Sequence, residues 1–364
     1  MTETPTAATD CLEIQRHGRS LRLPALWLRE RCSDPQSLDR RSWQRLYEPA
    51  RLPLDLRVLE YRDDAEQLHL VFSDGHRGTL AWAELDMELA EAGDSRTAWD
   101  GGLSSLPRYA YAGLDEAGVM LQALRDFRRL GFVILEDTPT APGSILDIAA
   151  RFGHVRDTNW GKVFDVQAKA GDAANDLAYT SLPLPPHTDN PYRNPVPGIQ
   201  LLHALVNEAE GGLSTLVDGL AVARRLQAED PAAWAVLTTT PVRFMFRDPG
   251  VAELQCWAPL LALDHLGRFQ GIRYSSRLDY VPLLAPETLA EFYRARQKLA
   301  ELLDDPDLEI RFRLDAGTLL MMDNQRLLHG RTAFQQGGAR HLQGCYIDHD
   351  GPDSQWRVLA ATCG

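Results

Sequence analysis

The chain predicts a mainly β fold with flanking helices: a large double-sheet β domain preceded by a small β-rich N-terminal domain. Three observations predict it. Short strand-like runs separated by turn residues recur along the 364 residues, the pattern of double-sheet β architectures. The helical patterns are few, and they interrupt the strands instead of alternating with them. The character of the chain also changes near residue 110, which divides it into 1–110 and 111–364.

In the first segment Leu12-Glu13-Ile14, Leu56-Arg57-Val58-Leu59 and Leu68-His69-Leu70-Val71-Phe72 read as strands, with Ser73-Asp74-Gly75 as a turn. Gly93, Gly101, Gly102 and Pro107 make 92–107 a connector. A helix follows. Asp115 is its candidate N-cap, Val119, Leu121, Leu124, Phe127 and Leu130 fall at helical spacing, and Gly131 stops it. Phe132–Leu135 reads as a strand and Ser144–Phe152 as a short helix. Strands are then expected at Ile199–Val206, Ser214–Val217, Val242–Phe246, Ile310–Phe312 and Thr318–Met322, with helices over Ala221–Ala228 and Pro286–Leu303.

Hydrophobic residues make up 44% and charged residues 24%, enough to build an ordinary globular core. The net charge of -13 argues against binding a nucleic-acid backbone or an anionic membrane. No apolar run approaches the roughly 18 residues of a membrane span. Met1–Asp10 is polar and lacks the apolar core of a signal peptide. A soluble, cytoplasmic protein acting on a small molecule is the expectation. The five cysteines, Cys11, Cys32, Cys256, Cys345 and Cys363, are irregularly spaced and read as reduced thiols, not a disulfide framework.

His187-Thr188-Asp189, with His329 far downstream in Leu-Leu-His-Gly-Arg, carries the chemistry. Two imidazoles and a carboxylate can form the facial triad of non-haem Fe(II), which leaves positions open for reactants. Pro183, Pro185 and Pro186 before His187 exclude a helix or a central strand, so the triplet belongs at a strand mouth or loop edge. Taken singly, His187 also reads as an exposed loop histidine, and His329 reads first as a satisfied core histidine. Arg340 opens the run Arg340–Tyr346; its guanidinium fork matches a carboxylate, though such an arginine taken alone is more often a surface ion-pair residue. Ser214, in Gly211-Gly212-Leu213-Ser214, offers a hydroxyl.

The order His187-x-Asp189, Gly-Gly-x-Ser214, Asn324-x-x-x-Leu328-His329-Gly330-Arg331 and Arg340 resembles the taurine-dioxygenase superfamily of Fe(II)/2-oxoglutarate oxygenases. Within it, the chain is most similar to the γ-butyrobetaine and trimethyllysine dioxygenase group. The resemblance covers nearly the whole chain, since Trp27-Leu28-Arg29-Glu30-Arg31-Cys32 is similar to that group's N-terminal Trp-Leu-Arg-Asp-x-Cys signature. It implies a double-stranded β-helix, or jelly-roll, with flanking helices. It further implies Fe(II) on His187, Asp189 and His329, and 2-oxoglutarate on Arg340 beside Ser214 and Leu202. Dioxygen is the oxidant, the cofactor carries the oxidation of an unactivated C–H bond, and the protein supplies placement. A homodimer is compatible with it. The group's N-terminal module usually holds a structural zinc on three cysteines and a histidine. Here Cys32 and His76 fit, but Asp34 and Ser37 stand at the other two positions, so no zinc is expected.

By the same resemblance, the aromatic cage of the γ-butyrobetaine enzymes falls on Trp160, Phe164, Tyr179 and Tyr346. Aromatic faces recognise quaternary ammonium groups, although four aromatics fit a plain core as well. Where that group uses asparagines for the substrate carboxylate, this chain has Asp176 and Ser275. Arg277 and Asn190 complete a set of guanidinium, hydroxyl and amide that suits a doubly charged tetrahedral oxyanion better than a flat carboxylate. Arg277 alone reads equally as a solvated loop charge. The expected substrate is a small quaternary-ammonium zwitterion: 2-trimethylaminoethylphosphonate first, hydroxylated beside phosphorus, with γ-butyrobetaine or 2-aminoethylphosphonate as alternatives. A jelly-roll binding module without chemistry, and a metal hydrolase needing neither Arg340 nor oxygen, are the other classes.

Overall fold

The computed structural model describes residues 8–64, 66–91, 94–167, 181–335 and 338–363. The chain forms two compact units, Met1–Ser95 and Arg96–Gly364. This division precedes the one expected near residue 110. The reason is packing: Trp99 is buried among Leu130 and Phe132, and its indole donates to the Leu130 carbonyl at 2.7 Å. Arg108–Ala110 also pairs in parallel with the strand Phe132–Glu136.

In the first unit, Val58–Asp63, Gln67–Phe72 and Arg77–Ala81 form an antiparallel sheet, and Cys11–Arg16 pairs with Arg19–Pro24. Alternation along the middle strand turns Leu68, Leu70 and Phe72 inward onto Leu12, Ile14, Leu28 and Trp82. Two helices, Ala25–Glu30 and Trp82–Glu91, flank these strands and were not expected from sequence.

Two sheets face each other in the second unit. The larger runs in the order Phe164–Gln167, Arg340–Ile347, Ile199–Asn207, Thr318–Asp323, Phe132–Glu136, Arg108–Ala110; the smaller runs Leu184–His187, Leu327–Arg331, Ser214–Asp218, Glu309–Phe312. Phe132, Ile134, Leu320 and Met322 meet Leu216, Ile310, Phe312 and Leu327 between them. The opposite side chains of the same strands, Val133, Leu135, Met321 and Cys345, are covered by the helices Ala117–Leu130 and Ser144–Ala150. Val217 and Leu328 of the smaller sheet lie under Gly219–Glu229, Pro231–Thr239 and Pro286–Leu303. Each fully buried Leu, Ile or Phe contributes about 1.5–3 kcal/mol, so this two-faced burial holds the barrel closed. The arrangement is the jelly-roll implied by the sequence.

Asp115 does not cap the helix Ala117–Leu130. It ends a single 3-10 turn, Tyr111–Asp115, and its carboxylate accepts from Arg151 at 2.7 Å. Gly131 does terminate that helix, at φ 85°, where its N–H reaches the Phe127 carbonyl. Among the described residues, no helix is long and apolar enough to cross a membrane.

Candidate metal and co-substrate centre

Leu184–His187 is an edge strand whose pairing is irregular between Leu184 and His187, which tolerates Pro185 and Pro186 although neither can donate to a ladder. Its pairing makes His187 the direct cross-strand partner of His329 on the adjoining strand, with ring centroids 4.3 Å apart. The chain then leaves the sheet, and Asp189 is gripped by its backbone. Its N–H donates to Asn324 Oδ1 at 2.7 Å, and Asn324 Nδ2 donates back to the Asp189 carbonyl at 3.0 Å and to Pro197 at 3.1 Å. Asn324 is fully buried, so this clamp is rigid.

The three side chains converge. Asp189 Oδ1 lies 3.4 Å from His187 Nε2 and 3.9 Å from His329 Nε2. His187 Nδ1 stands 3.0 Å from the Pro185 carbonyl, which fixes the tautomer with the Nε2 lone pair facing inward. Burial alone would raise the Asp189 carboxyl, but the two imidazoles hold it well below the usual carboxylate range. Burial, then His187, pushes His329 down to about 3, with Arg277 adding to the effect. An ionised carboxylate between two imidazoles, one of them kept neutral by burial, is a donor set that fits Fe(II).

These groups open onto a cavity of about 470 Å³. Strand alternation explains its walls. Arg340, Leu342 and Tyr346 project into it from one strand and Gln200 and Leu202 from the next, while Leu201 and Cys345 face the opposite way. Ser214 and Arg331, cross-strand neighbours, line the same end. The guanidinium of Arg340 lies 5.2 Å from the Phe334 ring and that of Arg331 lies 4.8 Å from it. Burial first, then Arg331 and Arg313, lowers Arg340 to about 10, so it stays a cation at neutral pH. Gly211 is required for this packing: its φ is 85°, and a Cβ there would sit 2.7 Å from the Ala333 carbonyl oxygen.

Trp160, Phe164, Asn190, Ser275, Arg277 and Tyr346 all line the cavity; Asp176 and Tyr179 lie outside the described residues. Phe164 pairs opposite Gly344, and its ring occupies the space a Cβ would need, which lets it stack on Tyr346 at 5.3 Å. Three contributors were missed from sequence, and a fourth, Asn324, was named there only as part of the family motif. Tyr192 and Phe246 stack at 5.1 Å and extend the aromatic wall to Trp160. Gln200 and Asn324 hold Asp189. Gln200 had a legible signal, a polar residue inside the apolar run Ile199–Val206.

In the first unit, Cys32, Asp34 and His76 also come together, with Ser37 Oγ 3.1 Å from His76 Nε2.

Residues 108–346 match the family described as taurine catabolism dioxygenase TauD, TfdA family. The chain belongs to that family. It is similar to a γ-butyrobetaine dioxygenase of Pseudomonas sp. (strain AK-1), 36% identical over 346 residues, 92% of this chain and 89% of that one. It also matches the human γ-butyrobetaine dioxygenase, 32% identical over 243 residues, 65% of this chain and 62% of that one. Among solved structures, the PvcB protein from Pseudomonas aeruginosa superposes with a TM-score of 0.50 and 22% identity over 69% of this chain and 90% of that one, a likeness of fold. As a member of the TauD, TfdA family the chain is a dioxygenase, and its cofactors are Fe(II) and 2-oxoglutarate.

Proposed function

We propose that this dioxygenase hydroxylates a small quaternary-ammonium zwitterion, with His187, Asp189 and His329 holding Fe(II) and Arg340, Ser214 and Leu202 receiving 2-oxoglutarate. When bound, the metal and keto-acid supply an oxidant strong enough for an unactivated C–H bond. The side chains do the rest. Arg340 is a desolvated cation lining the same cavity as the Ser214 hydroxyl, a pair of groups suited to a carboxylate. Trp160, Phe164 and Tyr346 offer aromatic faces to a trimethylammonium group.

The observation that carries the substrate reading is that Arg277 and Ser275 share one chamber with the triad and the aromatic wall. Ser275 is 2% exposed and its Oγ has no hydrogen-bond partner among the described residues. The charge of Arg277 reaches His329. An anionic group held there shares the chamber with the triad, and oxidation at the carbon beside it is the outcome this reading expects. This favours 2-trimethylaminoethylphosphonate, hydroxylated next to phosphorus. The second reading is γ-butyrobetaine, favoured by the 36% identity to an enzyme of that name. Succinate release in air with Fe(II) and 2-oxoglutarate tests both, using a panel of the phosphonate, γ-butyrobetaine and 2-aminoethylphosphonate. Preferred turnover of the trimethylated phosphonate is expected. Preference for γ-butyrobetaine removes the phosphonate reading, and preference for the primary amine removes the cage.

A further inference from the structure

We infer that Gln200 and Tyr346 are positioning residues that tie down one oxygen of Asp189 and so present the other, alone, to the metal. This rests on the Fe(II) reading of the triad. Both donors converge on the same atom: Gln200 Nε2 lies 2.5 Å from Asp189 Oδ2 and the Tyr346 hydroxyl 2.7 Å from it. The other oxygen, Oδ1, is the one that faces both imidazoles. An ionised carboxylate accepts only, so the Gln200 amide must turn its N–H side to it. The same holds for the Tyr346 hydroxyl: facing an oxygen that only accepts, it is the donor of that bond.

The placement follows from the fold. Gln200 and Tyr346 are direct cross-strand partners on the larger sheet, as His187 and His329 are on the smaller one. Asp189, on neither strand, is therefore held between a ligand pair and a donor pair. Both donors are fixed: Gln200 is 1% exposed, Tyr346 is 4% exposed, and the Tyr346 ring is stacked on Phe164. Two short charge-assisted hydrogen bonds on Oδ2 disfavour chelation through both oxygens. A one-oxygen aspartate leaves three positions of an octahedral metal open, whereas chelation would consume one of them.

Cobalt(II), added without air as a spectroscopic probe, tests this by visible absorption titration of the full chain, comparing the parent with Gln200→Leu, Tyr346→Phe and the double variant. The parent should take one cobalt. Each single variant should bind about 10-fold more weakly and the double on the order of 100-fold, the usual cost of losing outer partners of a ligand. The ligand-field bands should shift while the melting temperature of the metal-free protein stays put. Parent-like affinity and bands in the double variant overturn the inference. Should Gln200→Leu fail to fold, Tyr346→Phe, which removes a single oxygen, decides by the same criterion. A parent that takes no cobalt overturns the metal reading and this inference with it; a parent that binds beside unchanged variants overturns this inference alone.

Discussion

His187, Asp189 and His329 in the second unit, and Cys32, Asp34 and His76 in the first, each bring their donor atoms within 4.8 Å of one another. By distance the two clusters are equivalent; by what their lone pairs are already doing, they are not. In the triad, hydrogen bonding is spent on the far side of two of the groups, at His187 Nδ1 and Asp189 Oδ2, and His329 Nδ1 has no partner among the described residues, so the inward atoms remain available. In the other cluster the inward atoms are spent. His76 Nε2 stands 3.1 Å from both Asp34 Oδ2 and Ser37 Oγ. The Cys32 thiol reaches the Leu28 carbonyl at 3.6 Å, and burial pushes it up to about 12, so it is not a thiolate at neutral pH. Arg29 already brings a cation, donating to Ser37 Oγ at 3.1 Å and lying 3.5 Å from Asp74. With a hydroxyl and a carboxylate where thiolates belong, these residues do not fit structural zinc. A metal site is a set of unspent donors, and proximity alone does not make one.

Truncating one member of each cluster separates them most sharply. His187→Ala should abolish metal binding and lower succinate formation on the order of 1,000-fold or more, since a ligand matters more than the roughly 10–100-fold of its outer partners. His76→Ala should leave both within a few-fold of the parent. Equal losses, read by metal titration and succinate assay, would mean that the two clusters are not distinct in kind. A smaller effect is expected from Arg340→Ala, which should raise the KM for 2-oxoglutarate about 100-fold, as truncating a desolvated charged partner costs about 2–5 kcal/mol. An unchanged KM would shift the anchor to Arg331, whose guanidinium shares the Phe334 ring.

The triad was legible because it depends on residue type in a short motif, and the main strands because apolar runs such as Phe132–Leu135 are bounded by turn residues. The helix Pro286–Leu303 announced itself through Pro at its first turn and a clear apolar stripe. Elements with little buried surface were not legible. The helix Asp350–Cys363 rests on half-buried Trp356 and Leu359, which leave no stripe to read. The aromatic wall was legible only in part. Phe246 lies in a correctly expected strand, but nothing in its spacing says that this strand borders the cavity. Asn324 was visible in a motif, whereas its grip on Asp189 depends on two loops brought together by the sheets.

The smallest effect bears on what replaces a metal in the first unit. Arg29 is 7% exposed, lies 4.3 Å from the Tyr47 ring, and sits among Ser37, Asp74 and the Cys32 thiol. If its guanidinium supplies the positive charge there, Arg29→Met keeps the apolar stem but leaves Asp74 without its cation. Breaking a buried pair costs about 3–5 kcal/mol; because Asp74 keeps 19% of its side chain exposed, about 2 kcal/mol is the better expectation. Hydrogen exchange in the full chain reads this locally. The Ser33 N–H, bonded to Thr79, and the Phe72 N–H, bonded to His76, should exchange about 30-fold faster, the equivalent of 2 kcal/mol. Exchange at Phe132–Glu136, in the other unit, should not change. Unaltered protection at Ser33 and Phe72, together with one zinc retained per chain after desalting, would show that a metal and not the guanidinium carries the charge, and the contrast between the two clusters would fail at its second member.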